Sequence, residues 1–457
     1  MNFQNQDETI CALSTASGIG AISLIRLSGK SSFSIINSVF SKSLDKALSH
    51  TAHFGRILKD NEIIDEVVVT IFKNPTSFTG EDLIEIACHG SRFIQEEILK
   101  LLIDKGARLA GPGEFSLRAF LNGKMDLSQT EAVADLIMAN SKAAHKVAMH
   151  QMRGGFASEI TELRTELLNF ASLVELELDF SQEDVEFADR SQLQALIQKI
   201  KLKVNRLVDS FKLGNVIKNG VPVAIVGAPN AGKSTLLNAL LNEDKAIVSD
   251  IAGTTRDVIE DTIVIHGIEF RFIDTAGIRE TTDKIEILGI ARSYEQIQKA
   301  EIILLLFDLK NEKANTILKQ IEKFKKLSLS ESQIFLPIFN KTDLVNLTEF
   351  EKLKDLGLFL SAKSKENLEE LKARLVDVIH FVETDNQLIV TNVRHFEILK
   401  KCAASLILVE DGLEQQIPGD LLAMDIRETI HHLSEITGDI SNDELLGHIF
   451  ANFCIGK

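Results

Sequence analysis

A short glycine-containing segment in the middle of the chain carries residues suited to holding phosphate groups. Residues 227–234 read Gly-Ala-Pro-Asn-Ala-Gly-Lys-Ser and fit the G-x-x-x-x-G-K-[ST] phosphate loop. Gly227 and Gly232 let the backbone turn its N–H groups toward phosphate oxygens. Lys233 supplies a positive charge, and Ser234 supplies an oxygen for Mg²⁺. The spacing therefore predicts that phosphates and a divalent cation bind here.

Three further segments complete a guanine-nucleotide site, and one of them decides which base is bound. They are Asp274-Thr-Ala-Gly277, Asn340-Lys-Thr-Asp343 and Ser361-Ala-Lys363. A carboxylate at Asp343 can accept hydrogen bonds from both N1–H and N2–H of guanine, and adenine offers no such pair. One such tetrapeptide alone would be an ordinary loop, but four in this order, each after an apolar run, predict a GTP site. The predicted contacts are Asn230, Ala231, Gly232, Lys233, Ser234, Thr235, Ser249, Asp250, Ile251, Ala252, Gly253, Thr254, Asp274, Thr275, Ala276, Gly277, Asn340, Lys341, Thr342, Asp343, Ser361, Ala362 and Lys363.

The residues that would handle the attacking water depart from a common GTPase pattern. Thr255 lies between the phosphate loop and Asp274 and is the expected second Mg²⁺ ligand. Ile278 stands where many GTPases have a glutamine, and its side chain cannot hydrogen-bond to water. Another polar group must therefore orient the water. The candidates that follow are Arg279, Glu280, Asp283, Lys284 and Glu286, each of which is by itself typical of a solvated loop.

The elements around these segments predict an α/β domain over residues 216–381. Residues 223–226 and 302–307 are apolar, β-branched-rich runs typical of buried strands, and residues 234–241 predict a helix. Residues 1–123 mix strand runs, such as 20–26 and 66–72, with a helical run at 95–103, which predicts an α+β domain. Residues 124–215 and 382–457 have helical periodicity. We expect a multi-domain chain in which a Ras-like P-loop domain is inserted into an all-α domain.

Composition restricts the classes of protein to which the chain can belong. Its 457 residues, 45% hydrophobic and 25% charged, suit about three globular domains at the usual ~150 residues each. We expect no membrane span and no signal peptide, and the four scattered cysteines predict reduced thiols in a cytoplasm. The net charge is −16, and residues 382–457 hold 5 basic against 13 acidic residues. This charge balance is unlike that of a protein that binds nucleic acid without a partner. If RNA is bound, a partner or a local basic patch must attract it.

Motifs outside the nucleotide segments are the most specific. They are Thr79-Gly-Glu-Asp-Leu-Ile-Glu-Ile-Ala-Cys-His-Gly90, the run from Gly111-Pro-Gly-Glu-Phe to Gln129-Thr-Glu-Ala132, and the terminal Cys454-Ile-Gly-Lys457. With these motifs the chain resembles, from end to end, the MnmE (TrmE) family of tRNA-modification GTPases. The resemblance implies an N-terminal domain that binds 5-formyl- or 5,10-methylene-tetrahydrofolate and forms a homodimer. It also implies a K⁺-dependent GTPase that works with the flavoprotein MnmG (GidA), in a heterotetramer or larger complex, on C5 of the tRNA wobble uridine U34, adding an aminomethyl-type group such as carboxymethylaminomethyl.

The resemblance also assigns roles to single residues. By position, it implies that Mg²⁺ is held by Ser234 and Thr255, and K⁺ by Asn230, Ser249, Ile251 and Thr254. Glu286 is the implied acidic residue that positions water, and Arg26, Glu85, Lys124 and Lys457 are the implied folate contacts. Cys454 is a candidate reactive thiol, with a buried small apolar residue as the equal alternative.

Two other classes of protein remain to be weighed. A GTP-switched RNA-binding or ribosome-assembly factor would share the nucleotide segments but would be expected to append a basic module. Here residues 1–123 are nearly neutral and the C-terminal part is acidic, which favours the enzyme. The intact phosphate and Mg²⁺ residues argue against a purely structural scaffold.

Overall fold

The computed structural model describes residues 7–179, 190–243, 261–273, 297–326, 333–377, 388–415, 417–441, 443–451 and 453–456. The chain forms two compact units. One comprises Met1–Ile137, Ala148–Asn205 and Glu397–Lys457, and the other comprises Met138–Val147 and Arg206–Phe396.

The first unit begins with a six-stranded sheet in the order β3-β4-β5-β2-β1-β6. The pairings are antiparallel except that of β1 with β6. In β4, Asp65, Val67, Val69 and Ile71 are buried, whereas Glu66 and Val68 between them are exposed; this period of two buries one face of the sheet. Helices α1 and α2 pack on that face. The bounds are β1 Ile10–Leu13, β2 Ile22–Ser28, α1 Ser32–Val39, β3 Thr51–Lys59, β4 Glu62–Phe72, β5 Leu83–His89, α2 Arg92–Asp104, β6 Arg108–Leu109 and α3 Glu114–Leu121.

In the described residues, helices follow α3 up to Asn219 and again from Val393. Helix α12 packs along α6, where the Arg164 Nε donates to the Ser434 Oγ at 2.7 Å. Buried residues of α12 recur every three or four positions, which is the spacing that places them on one helix face. The helices are α4 Leu127–Met138, α5 Lys142–Met152, α6 Gly155–Asp179, α7 Arg190–Asn219, α11 Val393–Glu414, α12 Gly419–Thr437 and α13 Asp443–Ala451.

The second unit contains a six-stranded sheet in the order β12-β11-β10-β7-β9-β8. Its strands are parallel except β8, which forms an antiparallel hairpin with β9. The central strand β10 is buried at every position, as expected for a parallel strand covered on both faces. The elements are β7 Val221–Gly227, α8 Lys233–Glu243, β8 Asp261–Ile265, β9 Ile268–Phe272, β10 Ile302–Asp308, α9 Ala314–Lys326, β11 Ile334–Asn340, β12 Leu358–Leu360 and α10 Leu368–Asp377.

These elements confirm the predicted fold class: an α+β part, an all-α part and an α/β P-loop part that interrupts the helices. The strand predicted from Gly20 begins instead at Ile22, because the Gly20 N–H bonds to the Gly90 carbonyl at 3.1 Å outside the regular ladder. Within the part of the chain that the structure describes, every helix is too short or too polar to cross a membrane.

Candidate functional site

The phosphate loop has the backbone shape that its sequence predicted. It joins the end of β7 to the start of α8, so the N-terminus of that helix faces the space where phosphates would lie. Gly232 has φ +100°, and Asn230 also has a positive φ, of +64°. At Gly227 the need is space, since a Cβ there would lie 2.6 Å from the Leu306 carbonyl oxygen. The loop therefore tolerates side chains at neither glycine.

Lys233 points into the curl of this loop. Its Nζ donates to the carbonyl oxygens of Gly227 at 2.7 Å and Ala228 at 3.0 Å. Burial lowers the pKa of the Lys233 ammonium, because it removes the charged form from water. A cation held by neutral carbonyl groups at a helix N-terminus gains by binding an anion, which is what a nucleotide phosphate supplies.

Asn340, at the end of β11, joins three of the predicted segments. Its side-chain Nδ2 donates to the carbonyl oxygen of Ala231 at 2.8 Å, and its Oδ1 accepts the N–H of Ala362 at 3.0 Å. The side chain is buried, and a Cβ at Gly232 would lie 2.2 Å from its Nδ2. The phosphate loop, residues 340–343 and residues 361–363 are therefore fixed relative to one another by one amide side chain.

Asp343, the predicted reader of guanine, is exposed and accepts a hydrogen bond from Ser361. The Ser361 hydroxyl, itself buried, donates to the Asp343 Oδ1 at 2.7 Å. Thr342 is buried beside it, in the short 3₁₀ helix Thr342–Leu344. Lys363 is exposed. A carboxylate oriented in this way can accept paired N–H groups from a planar base edge.

One residue in this region was missed by the sequence analysis. Asp308 ends β10 directly across from Asn340 in the parallel ladder, and its Oδ2 accepts the Lys341 ammonium at 2.5 Å. The same ammonium donates to the Asn230 carbonyl oxygen at 2.9 Å. The available signal was a single acidic residue at the end of an apolar strand, adjacent in the fold to the strand that carries Asn340.

Several predicted residues lie outside the described part of the chain. They are the Mg²⁺ candidate Thr255, the K⁺ and nucleotide candidates of residues 249–254, the segment 274–277, the water-positioning candidate Glu286 and the folate candidate Lys457. Ser234 and Thr235 begin α8, with Ser234 half-buried and Thr235 exposed.

The N-terminal sheet brings two of the folate candidates together. Arg26 on β2 and Glu85 on β5 are direct cross-strand partners, and the Arg26 Nε donates to the Glu85 Oε1 at 2.8 Å. Each side chain is about a fifth exposed, at 20% and 19%. The Phe78 ring lies 5.4 Å from the Arg26 Cζ, so an aromatic surface borders the pair. A carboxylate, a guanidinium and an aromatic ring form a suitable surface for a flat heterocycle with N–H and carbonyl groups.

Lys124 contacts the loop that precedes β5, which also contains Phe78. Its Nζ donates to the Pro75 carbonyl oxygen at 2.9 Å, and a Cβ at Gly80 would lie 3.2 Å from its Cγ. The loop that precedes β5 is therefore next to Arg26 through Phe78 and next to Lys124 through Pro75.

The two N-terminal motifs are joined by an ion network around one buried arginine. Arg118, whose side chain is 4% exposed, donates to Glu81 at 3.0 Å and to Glu114 at 3.1 Å. The Glu114 Oε1 also accepts a hydrogen bond from the Arg108 guanidinium at 2.7 Å. The motif that begins at Thr79 and the motif that begins at Gly111 are thus one structural feature.

The C-terminal motif docks on the N-terminal sheet. The Ser14 hydroxyl donates to the Gly456 carbonyl at 3.0 Å, and the Gly113 N–H donates to the Cys454 carbonyl at 3.2 Å. Ser14 is two residues beyond Ala12, the cross-strand partner of Arg26. Cys454 is exposed, so the alternative of a buried apolar residue is wrong for it.

Comparisons with known proteins agree along the whole chain. The profile of the MnmE helical domain matches residues 127–454, and that of the GTP-binding protein TrmE N-terminus matches residues 9–124. A tRNA modification GTPase MnmE of Cytophaga hutchinsonii is 54% identical over 99% of this chain and 98% of its own length. Proteins of the same name from Flavobacterium johnsoniae and Bacteroides thetaiotaomicron are 55% and 53% identical, each over 99% of this chain and 100% of their own lengths. With family models over residues 9–124 and 127–454 and full-length relatives above 50% identity, the chain belongs to the MnmE family of tRNA modification GTPases.

Proposed function

We propose that this chain hydrolyses GTP to GDP and phosphate as part of a tRNA modification reaction. The observation that carries the GTPase part is the hydrogen bond from Asn340 to the Ala231 carbonyl, which fixes the guanine-reading segment to the phosphate loop. Membership in a family whose relatives are named tRNA modification GTPases supports the tRNA part.

The phosphate loop would bind and orient the triphosphate. Its backbone N–H groups and the start of α8 face the phosphates, and the Lys233 ammonium exchanges its neutral carbonyl partners for phosphate oxygens. Ser234 and Thr255 would hold Mg²⁺, which supplies positive charge where the β- and γ-phosphates meet. Asp343 selects guanine while the Ser361 hydroxyl keeps its carboxylate in place.

Hydrolysis would need a polar group to orient the attacking water, and this chain has no glutamine at the usual position. Ile278 stands at that position, so Glu286 would position the attacking water. Asn230, Ser249, Ile251 and Thr254 would hold K⁺, which supplies charge that other GTPases obtain from an arginine. Asn230 suits this task, because it is exposed and held at a positive φ beside the phosphate loop curl.

The N-terminal domain would bind a 5-formyl- or 5,10-methylene-tetrahydrofolate. Glu85 would accept N–H groups of the pterin edge, with Arg26 directing one of its oxygens, and Lys124 and Lys457 would face carbonyl or carboxylate oxygens of the ligand. The exposed Cys454 thiol belongs to the C-terminal motif, whose Gly456 carbonyl accepts the Ser14 hydroxyl just beyond the strand that pairs with Arg26.

The remaining assignments follow the family. We infer four parts, with bounds 1–123, 124–215, 216–381 and 382–457, of which the second and fourth make one helical domain. The chain would act in the cytoplasm as a homodimer with the flavoprotein MnmG, and the complex would convert C5 of U34 in certain tRNAs to an aminomethyl-type derivative. Because residues 382–457 are acidic, we expect MnmG to provide most of the tRNA contact.

The test is the state of the wobble uridine in cells that lack this chain. Wild-type protein should restore the modification, and Asp343→Asn should fail to restore it because GTP is no longer selected. Asp355→Asn makes the same chemical change at an exposed position of the same domain and should behave as wild type. Unchanged wobble uridine in the deletion strain would refute the tRNA assignment, and full activity of Asp343→Asn would refute the guanine-reading assignment.

A further inference from the structure

Asp308 lies in the nucleotide-binding unit without a role in the chemistry described above. It is the last residue of β10, and its register partner in the neighbouring parallel strand is Asn340. The side chain is 7% exposed. A carboxylate buried to this degree must be compensated by charge or hydrogen bonds, so its hydrogen-bond partners indicate its structural role.

Three donors converge on this carboxylate. The Oδ1 accepts the backbone N–H of Lys310 at 3.0 Å. The Oδ2 accepts the Asn311 amide at 2.8 Å and the Lys341 ammonium at 2.5 Å. Burial opposes its ionisation, but the hydrogen bonds from Lys341 and Asn311 and the charge of Lys341 outweigh burial and hold the Asp308 pKa below its usual range. The group is therefore an anion at neutral pH.

The ammonium that Asp308 holds is also a contact of the phosphate loop. Lys341 donates to the Asn230 carbonyl oxygen at 2.9 Å, and its neighbour Asn340 donates to the next carbonyl, that of Ala231, at 2.8 Å. Two consecutive side chains of residues 340–343 thus donate hydrogen bonds to two consecutive carbonyl groups of the phosphate loop. The amide of Asn340 is buried and set by its own backbone contacts, whereas the long Lys341 side chain needs an anchor to keep one rotamer.

We infer that Asp308 is a positioning residue for guanine-nucleotide binding: it anchors the Lys341 ammonium and so keeps the phosphate loop and the guanine-reading segment at the separation that a nucleotide spans. This inference rests on the proposed function, because it assigns Asp308 to the same nucleotide site. A role confined to the turn after β10 is the alternative, since Lys310 and Asn311 belong to that turn.

The substitution Asp308→Asn separates the two roles. An amide at this position cannot accept hydrogen bonds from both Lys310 and Lys341. If its oxygen accepts the Lys310 N–H, its NH₂ group faces the Lys341 ammonium, and in the reverse orientation its NH₂ group faces the Lys310 N–H, so one pair of donors always meets. We expect the Kd of the full chain for a fluorescent GDP to rise about tenfold, as for the loss of one hydrogen bond to a charged group. Asn311→Ala is the matched control; it removes the neutral partner of the same oxygen and should leave the Kd within twofold.

A double-mutant cycle with Lys341→Met decides whether Asp308 acts through the lysine. On the Lys341→Met background, Asp308→Asn should change the Kd by less than twofold, because the ammonium that it anchors is gone. An equal fold-change on both backgrounds would overturn the inference, as would an unchanged Kd for Asp308→Asn or an effect of Asn311→Ala as large as that of Asp308→Asn.

Stability and the proposed function are checked on the same proteins. If Asp308→Asn melts too low to be assayed, Asp308→Ser takes its place, because a serine keeps a short acceptor for the Lys310 N–H and removes the charge. Preference of the wild-type chain for GDP over ADP tests the proposed function. If the wild-type chain prefers GDP and the effects of the two substitutions are additive, only the role of Asp308 is overturned. If the wild-type chain shows no preference for GDP over ADP, the proposed function and the role of Asp308 are both overturned.

Discussion

The substitution Gly232→Ala would test whether the phosphate loop is held by its contact with the guanine-reading segment. Gly232 has φ +100°, and a Cβ built on it would lie 2.2 Å from the Asn340 Nδ2. Two separate costs follow. An L-residue in this backbone region costs about 1–2 kcal/mol. Because Asn340 must move, its hydrogen bond to the buried Ala231 is lost, which costs a further ~1–3 kcal/mol.

The second cost falls on the nucleotide site itself. A loss of ~1–3 kcal/mol there corresponds to GDP binding that is weaker by roughly 5- to 150-fold. Titration of the full chain with a fluorescent GDP measures this change directly, and a thermal melt of the same samples shows whether the protein remains folded.

The chain offers a matched control at Gly106. Its φ is +104°, nearly that of Gly232, but a Cβ there would meet no atom within 4 Å. Gly106→Ala should therefore carry the backbone strain alone and leave GDP affinity unchanged. The reasoning is refuted if Gly232→Ala binds GDP within twofold of the wild type, or if Gly106→Ala weakens binding as much.

Four further outcomes are expected. GTP hydrolysis should be faster in K⁺ than in Na⁺ at equal ionic strength, and Glu286→Ala should slow it while GDP affinity stays nearly unchanged; equal rates in the two salts would remove the K⁺ assignment. Arg118→Met should destabilise the N-terminal domain by about 1–3 kcal/mol, because the partly exposed Glu81 carboxylate loses its ion pair with Arg118 while Glu114 keeps Arg108. The exposed Arg92→Met is its control in a thermal melt, and similar losses from both would contradict this account. At Glu114, burial opposes ionisation, but the hydrogen bonds and the charge of Arg108 hold the pKa of the carboxyl below its usual value. The stability that the ionised Glu114 contributes is therefore present above the pKa of the unfolded state and is lost as the pH falls through the pKa of the folded state. Glu114→Gln should therefore flatten the loss of stability on acidification, measured as melting temperature against pH, and an unchanged pH dependence would contradict this prediction.

The fold class and the place of the phosphate loop in the fold could be predicted from the sequence, because both depend on local patterns. Strand β10 is an uninterrupted apolar run, and a parallel strand buried on both faces requires such a run. The phosphate loop is likewise local, since its glycines, lysine and serine act within one strand–turn–helix unit. Strand bounds depend on the partner strand. The strand expected at Gly20 begins at Ile22, where the antiparallel ladder to β5 begins.

The contacts between distant residues required the tertiary structure. Arg26 and Glu85 are 59 residues apart and become neighbours only through the register of β2 with β5. Asp308 and Lys341 meet because β10 and β11 are adjacent parallel strands whose ends coincide.

Sequence alone therefore determined that a nucleotide is bound and which base is read, since those tasks belong to side chains of defined type within short segments. Tertiary structure decided how those segments are held together, through Asn340 and Lys341 on the phosphate loop, and through Arg118 between the two N-terminal motifs. The physical reason is that a hydrogen bond depends on distance and angle in space, and the register that sets both is a property of the assembled sheet.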